Sequence, residues 1–336
     1  MKKILPVFFC LLLLSGCGGA KKTTDTIFSM DTVMTLTVYD GGRAGDEALA
    51  ACRSEIYRLN DMLSVTDPDS QIGRFNQGQF SALSQDSYGL LLSALTVAAD
   101  TEGAYDPTVY PLMKLWGFYA DEFTVPGENA RQQALSHTGY SKAQISPEEM
   151  KITLPQGMGV DLGGIAKGYA AEKVLETMEA SGIETAVISL GGNVGLLGTK
   201  PGGEPWTVAV EKPDGSGNTI ATLAIPGGEK TYCVTSGAYQ RYFQVDGVTY
   251  HHILDPKTGC PAETDLLSVT IVSRNGTEAD ALSTALFVMG FDEAVSFWQS
   301  GRYDFDLVLI TEAGIFASPD LSITADIPVT TLEEGP

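Results

Sequence analysis

Five stretches of β-forming residues follow one another between Trp206 and Leu254: Trp206 to Glu211, Thr219 to Ile225, Tyr232 to Thr235, Tyr242 to Val245 and Thr249 to Leu254. The turns between them are of hairpin length. Such turns join antiparallel strands, whereas parallel strands need a longer crossover, usually a helix. Helices instead fall in groups. One runs from Ala44 to Leu63, where Leu49, Cys52, Ile56, Leu59 and Leu63 recur at helical spacing. A second starts from an N-cap at Ser84 and runs to about Asp100, with Gly103 as its stop; others cover Gly164 to Ala180, Thr277 to Met289 and Asp292 to Gln299. Further strands are predicted over Thr32 to Tyr39, Thr185 to Leu190, Leu266 to Ser273 and Leu307 to Ile310. Residues 104–160 read as loops, short helices and a hairpin-like stretch. Strands in runs and helices in groups predict an α+β fold with largely antiparallel sheets rather than a doubly wound parallel one.

At the N-terminus, Lys2 and Lys3 precede the apolar run Ile4 to Leu14, followed by Ser15-Gly16-Cys17. Charged, apolar and small residues in that order make a secretory signal, and the run is shorter than the ~20 apolar residues of a membrane-spanning helix. The cysteine behind Leu-Ser-Gly resembles the lipobox of bacterial lipoproteins. That likeness implies a signal peptide over 1–16, a lipid anchor on Cys17, a polar tether over 17–26 and an exported chain held at the outer face of the cell membrane.

The formal net charge is −21, and two units more negative once Lys2 and Lys3 are removed. A surface of this sign repels nucleic acid and anionic headgroups, so nucleic acid is excluded as a partner. An anionic substrate would need a local positive site built from a metal, helix N-termini or a few basic residues. After Cys17 there remain Cys52, Cys233 and Cys260, which have neither zinc spacing nor the density of a disulfide framework and allow at most one bridge. With three histidines in the chain, a His-rich zinc site is not expected. P-loop, His-Glu-x-x-His, Gly-x-Ser-x-Gly and dinucleotide Gly-x-Gly-x-x-Gly patterns are all missing.

Four segments are candidates for chemistry. In Asp161-Leu162-Gly163-Gly164-Ile165-Ala166-Lys167-Gly168-Tyr169, a glycine pair before a helix lets backbone N–H groups approach a phosphate, though it serves equally as a plain turn. In Ala279-Asp280-Ala281-Leu282-Ser283-Thr284-Ala285, Asp280 and Thr284 are i and i+4 on one helix face, a pair of hard oxygen donors that suits Mg²⁺. The plainer reading is an aspartate favoured by the helix dipole. In Tyr250-His251-His252-Ile253-Leu254-Asp255-Pro256-Lys257-Thr258-Gly259 the histidines of an alternating strand face opposite ways, so one is free to orient or accept the proton of an attacking hydroxyl. Gly103-Ala104-Tyr105-Asp106-Pro107-Thr108-Val109 and Thr235-Ser236-Gly237-Ala238-Tyr239-Gln240-Arg241-Tyr242-Phe243 mix aromatics with turn residues, as flavin pockets and capped loops both do.

In this order, and with Met30-Asp31-Thr32, Ser64, Ser70-Gln71-Ile72-x-x-x-Asn76 and Ser189-Leu190-Gly191-Gly192-Asn193, the segments resemble the ApbE family, the FAD:protein FMN transferases. The resemblance covers nearly all of 27–330 and implies a single T-fold-like catalytic domain there. It implies an FAD site drawn from Met30, Thr66, Ala104, Tyr105, Asp106, Asp161, Lys167 and the backbone near Leu254. It also implies Mg²⁺ held by the Gly164 carbonyl, Asp280 and Thr284, with Ser283 as an extra contact. Two positions depart from the family pattern: Asp31 stands where Gly usually follows Met, and Thr66 where some relatives have an aromatic.

The implied reaction is attack by a Thr or Ser hydroxyl of an acceptor protein, a flavin-carrying redox subunit, on the FMN-side phosphorus of FAD, with AMP leaving. His252 is the residue expected to deprotonate or position that hydroxyl. Two other readings use the same residues: a Mg²⁺-dependent FAD pyrophosphatase giving FMN and AMP, and a lipoprotein that binds flavin without turnover.

Overall fold

The computed structural model describes residues 22–39, 41–81, 83–120 and 122–335. The signal segment 1–16, the anchor Cys17 and the tether as far as 21 lie outside the described residues.

Nine strands form one sheet in which spatial order follows chain order: β1 (Thr23–Ser29), β2 (Thr32–Val38), β3 (Ala186–Leu190), β4 (Asn193–Leu197), β5 (Thr231–Gly237), β6 (Leu266–Ser273), β7 (Phe305–Thr311), β8 (Gly314–Ala317) and β9 (Val329–Thr331). Neighbours are antiparallel throughout, except that β8 and β9 are parallel. The α+β reading with largely antiparallel sheet is therefore the observed one.

The sheet is covered on both faces, and its strands alternate accordingly. Along β7, Leu307 and Leu309 join the helix-side core while Val308 and Ile310 join the opposite one. The helical layer contains α1 (Arg43–Leu63), α2 (Gln85–Asp100), α3 (Ala166–Ala180) and α4 (Gly276–Met289), with α4 lying across β5 and β6 and against α3. The other face carries a three-stranded sheet of Trp206–Glu211, Thr219–Ile225 and Ile323–Ala325. Each Leu, Ile or Val buried in these two cores contributes ~1.5–3 kcal/mol, so the two-sided alternation fixes strand register.

A smaller aromatic cluster decides where the site forms. Leu112, Met113, Trp116 and Phe118 pack on Phe243 and Leu254, and Tyr250 stacks on Phe243 at 5.3 Å. Here the helix Tyr110–Leu115 meets a two-stranded hairpin, Tyr242–Val245 with Val248–His251, closed by Asp246 and Gly247 at φ 51° and 80°. Trp116 Nε1 donates to the Gly259 carbonyl at 2.8 Å and so ties down the loop that follows His252.

Several boundaries differ from the sequence reading. Residues 23–26, expected in the tether, belong to β1, which pairs with β2 along its whole length and is held to α1 by the Asp25–Arg53 ion pair. Its first half is polar because that half is largely exposed, so no hydrophobic alternation marks it. The helix expected from Gly164 begins at Ala166 because 161–165 form a turn, and the strand expected to reach Leu254 ends at His251. Strands β4, β8 and β9 are short and carry no pattern that marks them in the sequence. Cys52, Cys233 and Cys260 are all free thiols.

Candidate active site

Two helices build the centre of the site. A Cβ on Gly168 of α3 would lie 2.1 Å from the Gly276 carbonyl oxygen and 2.7 Å from Asp280 Cβ, so only glycine lets α3 and α4 approach this closely. That contact places the Gly168 N–H 2.9 Å from Asp280 Oδ2, which accepts it. Lys167 Nζ stands 3.9 Å from Asp280 Oδ1 and donates to the Gly163 carbonyl at 3.2 Å. One turn along α4, Thr284 Oγ1 lies 3.5 Å from the position a Gly164 Cβ would take, with the Tyr105 ring 3.1 Å from the same point. Gly164, Asp280 and Thr284, chosen from distant segments of the sequence, are thus neighbours.

The surrounding loops are tied to their own carboxylates. Asp161 Oδ1 accepts the Gly163 N–H at 2.8 Å, and its other oxygen accepts the Tyr119 hydroxyl. Asp106 caps the turn Pro107–Val109: Oδ1 accepts from the Thr108 N–H and hydroxyl at 2.8 and 2.6 Å, and Oδ2 from the Tyr140 N–H at 2.8 Å. Burial pushes both carboxyls above the ordinary range, and these hydrogen bonds oppose it. The Tyr105 phenol stands well above 10, first through burial and then through Asp161 and Asp280.

Arg241 supplies the second cation. Its guanidinium donates to the Phe118 carbonyl and lies over the rings of Phe118 and Tyr119, 5.8 and 5.9 Å from their centroids. Its own carbonyl accepts from the His252 backbone N–H at 3.0 Å and meets His252 Nδ1 at 3.1 Å. A carbonyl only accepts, so Nδ1 carries the proton and Nε2 keeps its lone pair. Burial, then Arg241 and Lys167, push the His252 imidazole down to about 3, and it stays neutral near pH 7. His251 faces away as expected, bonding the Ala262 carbonyl at 3.1 Å and meeting Phe287 edge-on.

The remaining sequence candidates are engaged elsewhere in the fold. Ser283 is fully buried and turned toward β5: its hydroxyl lies 2.7 Å from Ser236 Oγ and donates to the Asp280 carbonyl at 2.8 Å. Met30 and Asp31 form the two-residue turn of the β1–β2 hairpin at φ 47° and 59°, with the Met30 N–H on Asn60 Oδ1. Left-handed backbone favours Gly and tolerates Asp, which accounts for the departure at Asp31. Thr66 is exposed in the Ser64–Ser70 turn, 3.1 Å from Ser64 Oγ. Ala104 is buried directly behind Gly103, and Leu254 pairs with Pro261 under the aromatic cluster. Sequence reasoning misses Tyr119, and it names Gly168 and Arg241 only as members of candidate segments, without a role of their own. The aromatic run Trp116-Gly117-Phe118-Tyr119 is the available signal for the first, while Gly168 is explained only by the partner helix.

Three carboxylates here are 3–7% exposed: Asp161 and Asp280 face Lys167 and Arg241, and Asp106 faces Lys142. A bound anion tips this balance to negative. The chemistry that offsets it is a divalent cation on hard oxygen donors, and among the described residues no group of three His, Cys, Asp or Glu forms a protein-only metal cage.

Known proteins share this fold and much of this sequence. The ApbE family model matches residues 30–309. An FAD:protein FMN transferase of Vibrio cholerae is 32% identical over 329 residues, covering 94% of this chain and 96% of that protein. One of Treponema pallidum is 32% identical over 314 residues, covering 86% and 85%. The crystal structure of the ApbE protein from Thermotoga maritima superposes with a TM-score of 0.81 at 34% identity, covering 89% of this chain and 97% of that one. The flavin transferase ApbE from Vibrio cholerae superposes at 0.78 and 28% identity, covering 89% and 98%. With a shared fold, a family match that spans the site and relatives aligned nearly end to end, the chain belongs to the ApbE family.

Proposed function

We propose that this chain is an FAD:protein FMN transferase, moving the FMN moiety of FAD onto a Thr or Ser hydroxyl of an acceptor protein. The observation that carries the reading is the meeting of the Gly163-Gly164 turn with Asp280 and Thr284, beside Lys167 and the neutral His252. The donors fit Mg²⁺, which keeps waters, takes phosphate oxygens and needs only one or two protein carboxylates. Asp280, Thr284 and the Gly164 carbonyl would hold the ion, which neutralises charge and acts as a Lewis acid on the pyrophosphate.

The protein's own residues do the rest. His252 Nε2 accepts the proton of the acceptor hydroxyl, and the fixed Nδ1–H···O=C bond to Arg241 keeps it pointed. The hydroxyl oxygen bonds to the FMN-side phosphorus, the P–O bond of the pyrophosphate bridge breaks, and AMP leaves with that electron pair. Lys167 faces the same space from the first turn of α3, where its ammonium and the positive end of the helix dipole favour an anion. Met30, Thr66, Ala104, Asp106, Asp161 and Leu254 form the walls of the dinucleotide site through backbone and packing.

An acceptor domain incubated with this protein, FAD and Mg²⁺ should gain the mass of FMN while AMP is released in equal amount, and chelation should stop both. AMP and free FMN without any adduct would make the chain a pyrophosphatase instead. Export and anchoring through Cys17 complete the proposal. They rest on the Lys2-Lys3, Ile4–Leu14 and Leu-Ser-Gly-Cys pattern, and among the described residues no helix is long and apolar enough to cross a membrane. Intact-mass analysis of the membrane-extracted protein should find a diacylated Cys17 as first residue; an unmodified Met1 would refute it.

A further inference from the structure

The hairpin of Tyr242–Val245 and Val248–His251 bonds to no other strand among the described residues, so its two faces are covered by side chains or not at all. Phe243 pairs with Tyr250 and Val245 with Val248, and the His252 N–H on the Arg241 carbonyl adds one more rung at the base. Alternation puts Arg241, Phe243, Val245, Val248, Tyr250 and His252 on one face and the polar Gln244 and Thr249 on the other. The apolar face is only half covered. At mid-length Phe243 is 7% exposed against Trp116, Phe118 and Phe123, whereas Val245 and Val248 at the tip are 39% and 51% exposed. Phe123, stacked on Phe243 at 4.6 Å, is itself 40% exposed. Valine suits any strand, and a single exposed one needs no explanation. Here two of them pair across the ribbon and continue the apolar face beyond the aromatic cluster. Asp246 is the one charged residue between Tyr242 and Tyr250, in a chain of net charge −21.

We propose that Val245, Val248 and the exposed edge of Phe123 form the surface on which the acceptor protein docks while its hydroxyl reaches His252. The inference rests on the transferase reading and adds where that reaction's protein substrate is held. Val248 and His252 are four positions apart along one strand, a span of ~13 Å. A protein–protein contact of ordinary size covers ~800 Å² per partner, a disc of roughly 16 Å radius, so an acceptor centred over His252 extends to the tip. The size of the apolar surface favours this occupant over a second copy of the chain. Three partly exposed side chains fall far short of the area a lasting dimer needs, and they fit a substrate that must leave once modified.

Replacing both valines, Val245→Thr with Val248→Thr, keeps the β-branched shape and exchanges two methyl groups for hydroxyls. The probe is the folded FMN-accepting domain of a flavin-carrying redox subunit. KM for that domain should rise roughly 10-fold, the worth of two buried methyl groups, while kcat, FAD affinity and melting temperature stay as in wild type. Ile145→Thr changes an exposed apolar residue on the separate hairpin of Gln144–Ser146 and Lys151–Thr153, and should leave KM unchanged. An unchanged KM in the double variant overturns the inference alone. A KM rise that comes with weaker FAD binding or earlier melting assigns the valines to the chain's own packing and overturns it too. So does a wild-type dimer in sedimentation that the double variant breaks, because a second copy then owns the surface. Wild-type protein that puts no FMN on the domain would overturn the transferase reading and this inference together.

Discussion

Gly168→Ala adds one methyl group at the crossing of α3 and α4, and the geometry sets its effect. The new Cβ would stand 2.1 Å from the Gly276 carbonyl oxygen and 2.7 Å from Asp280 Cβ, where ordinary contact begins near 3.4 Å. Neither neighbour is the end of a flexible side chain, so the helices must part by more than an ångström. Parting lengthens the 2.9 Å bond from the Gly168 N–H to Asp280, a hydrogen bond to a charged group worth ~1.5–3 kcal/mol. Overpacking adds ~1–3 kcal/mol, and the helix preference for Ala over Gly returns ~1 kcal/mol. The net expectation is a loss of ~2–4 kcal/mol, read as a lower denaturant midpoint by circular dichroism. Transfer activity should fall by about 100-fold in the surviving folded protein, because Asp280 and Gly164 no longer meet at the right spacing. Gly89 in α2 is the control: it is exposed, has nothing within 4 Å of its Cβ direction and is helical, so Gly89→Ala should stabilise by ~1 kcal/mol. If Gly168→Ala matches Gly89→Ala in both stability and rate, the close helix crossing does not set the site.

His252→Ala should leave FAD binding within about twofold and lower transfer by ~10²–10⁴-fold, the range for a general base; unchanged turnover would remove His252 from the mechanism. The same variant tests the electrostatics. The folded imidazole titrates at about 3 against an ordinary 6.5, so between those values the unfolded chain binds a proton that the folded chain refuses, and stability falls as pH drops through this window. Asp106 and Asp161, raised in the fold, act oppositely at the acid end. Urea midpoints of His252→Ala should therefore decline less than wild type between pH 7 and about 4.5; parallel curves would contradict the depressed value. Asp280→Asn keeps an acceptor for Gly168 but loses the charge, so half-maximal transfer should need at least ~10-fold more Mg²⁺, while an unchanged requirement would place the ion elsewhere.

Features with a local signal are legible in the amino-acid sequence, and features made by packing are not. The hairpin carrying the histidines is marked by Asp246-Gly247, whose left-handed dihedrals demand such residues, and α2 by Ser84, whose hydroxyl accepts from the Ser87 N–H. Asp280 and Thr284 fall on one face by their spacing alone. Their meeting with Gly164 has no such signal, because it follows from a helix crossing between residues 112 positions apart. Asp106 illustrates the converse. An aspartate followed by proline is an N-cap pattern, and its carboxylate is spent on its own turn rather than aimed at a ligand. Ser283 shares the polar stretch of α4, but helix periodicity does not say which neighbour lies beyond it; Ser236 of β5 does. Tyr119 and Arg241 reach the site only through the packing of the aromatic cluster, which no single segment encodes.

Crystals of the protein soaked with FAD and Mn²⁺, with diffraction recorded at the manganese edge, test the central claim most directly. The account predicts an anomalous peak roughly 2.1–2.3 Å from Asp280 and Thr284 Oγ1, bridging to the dinucleotide's phosphates next to Gly164. A bound FAD whose pyrophosphate lies away from α4, or a manganese peak on other residues, would contradict it.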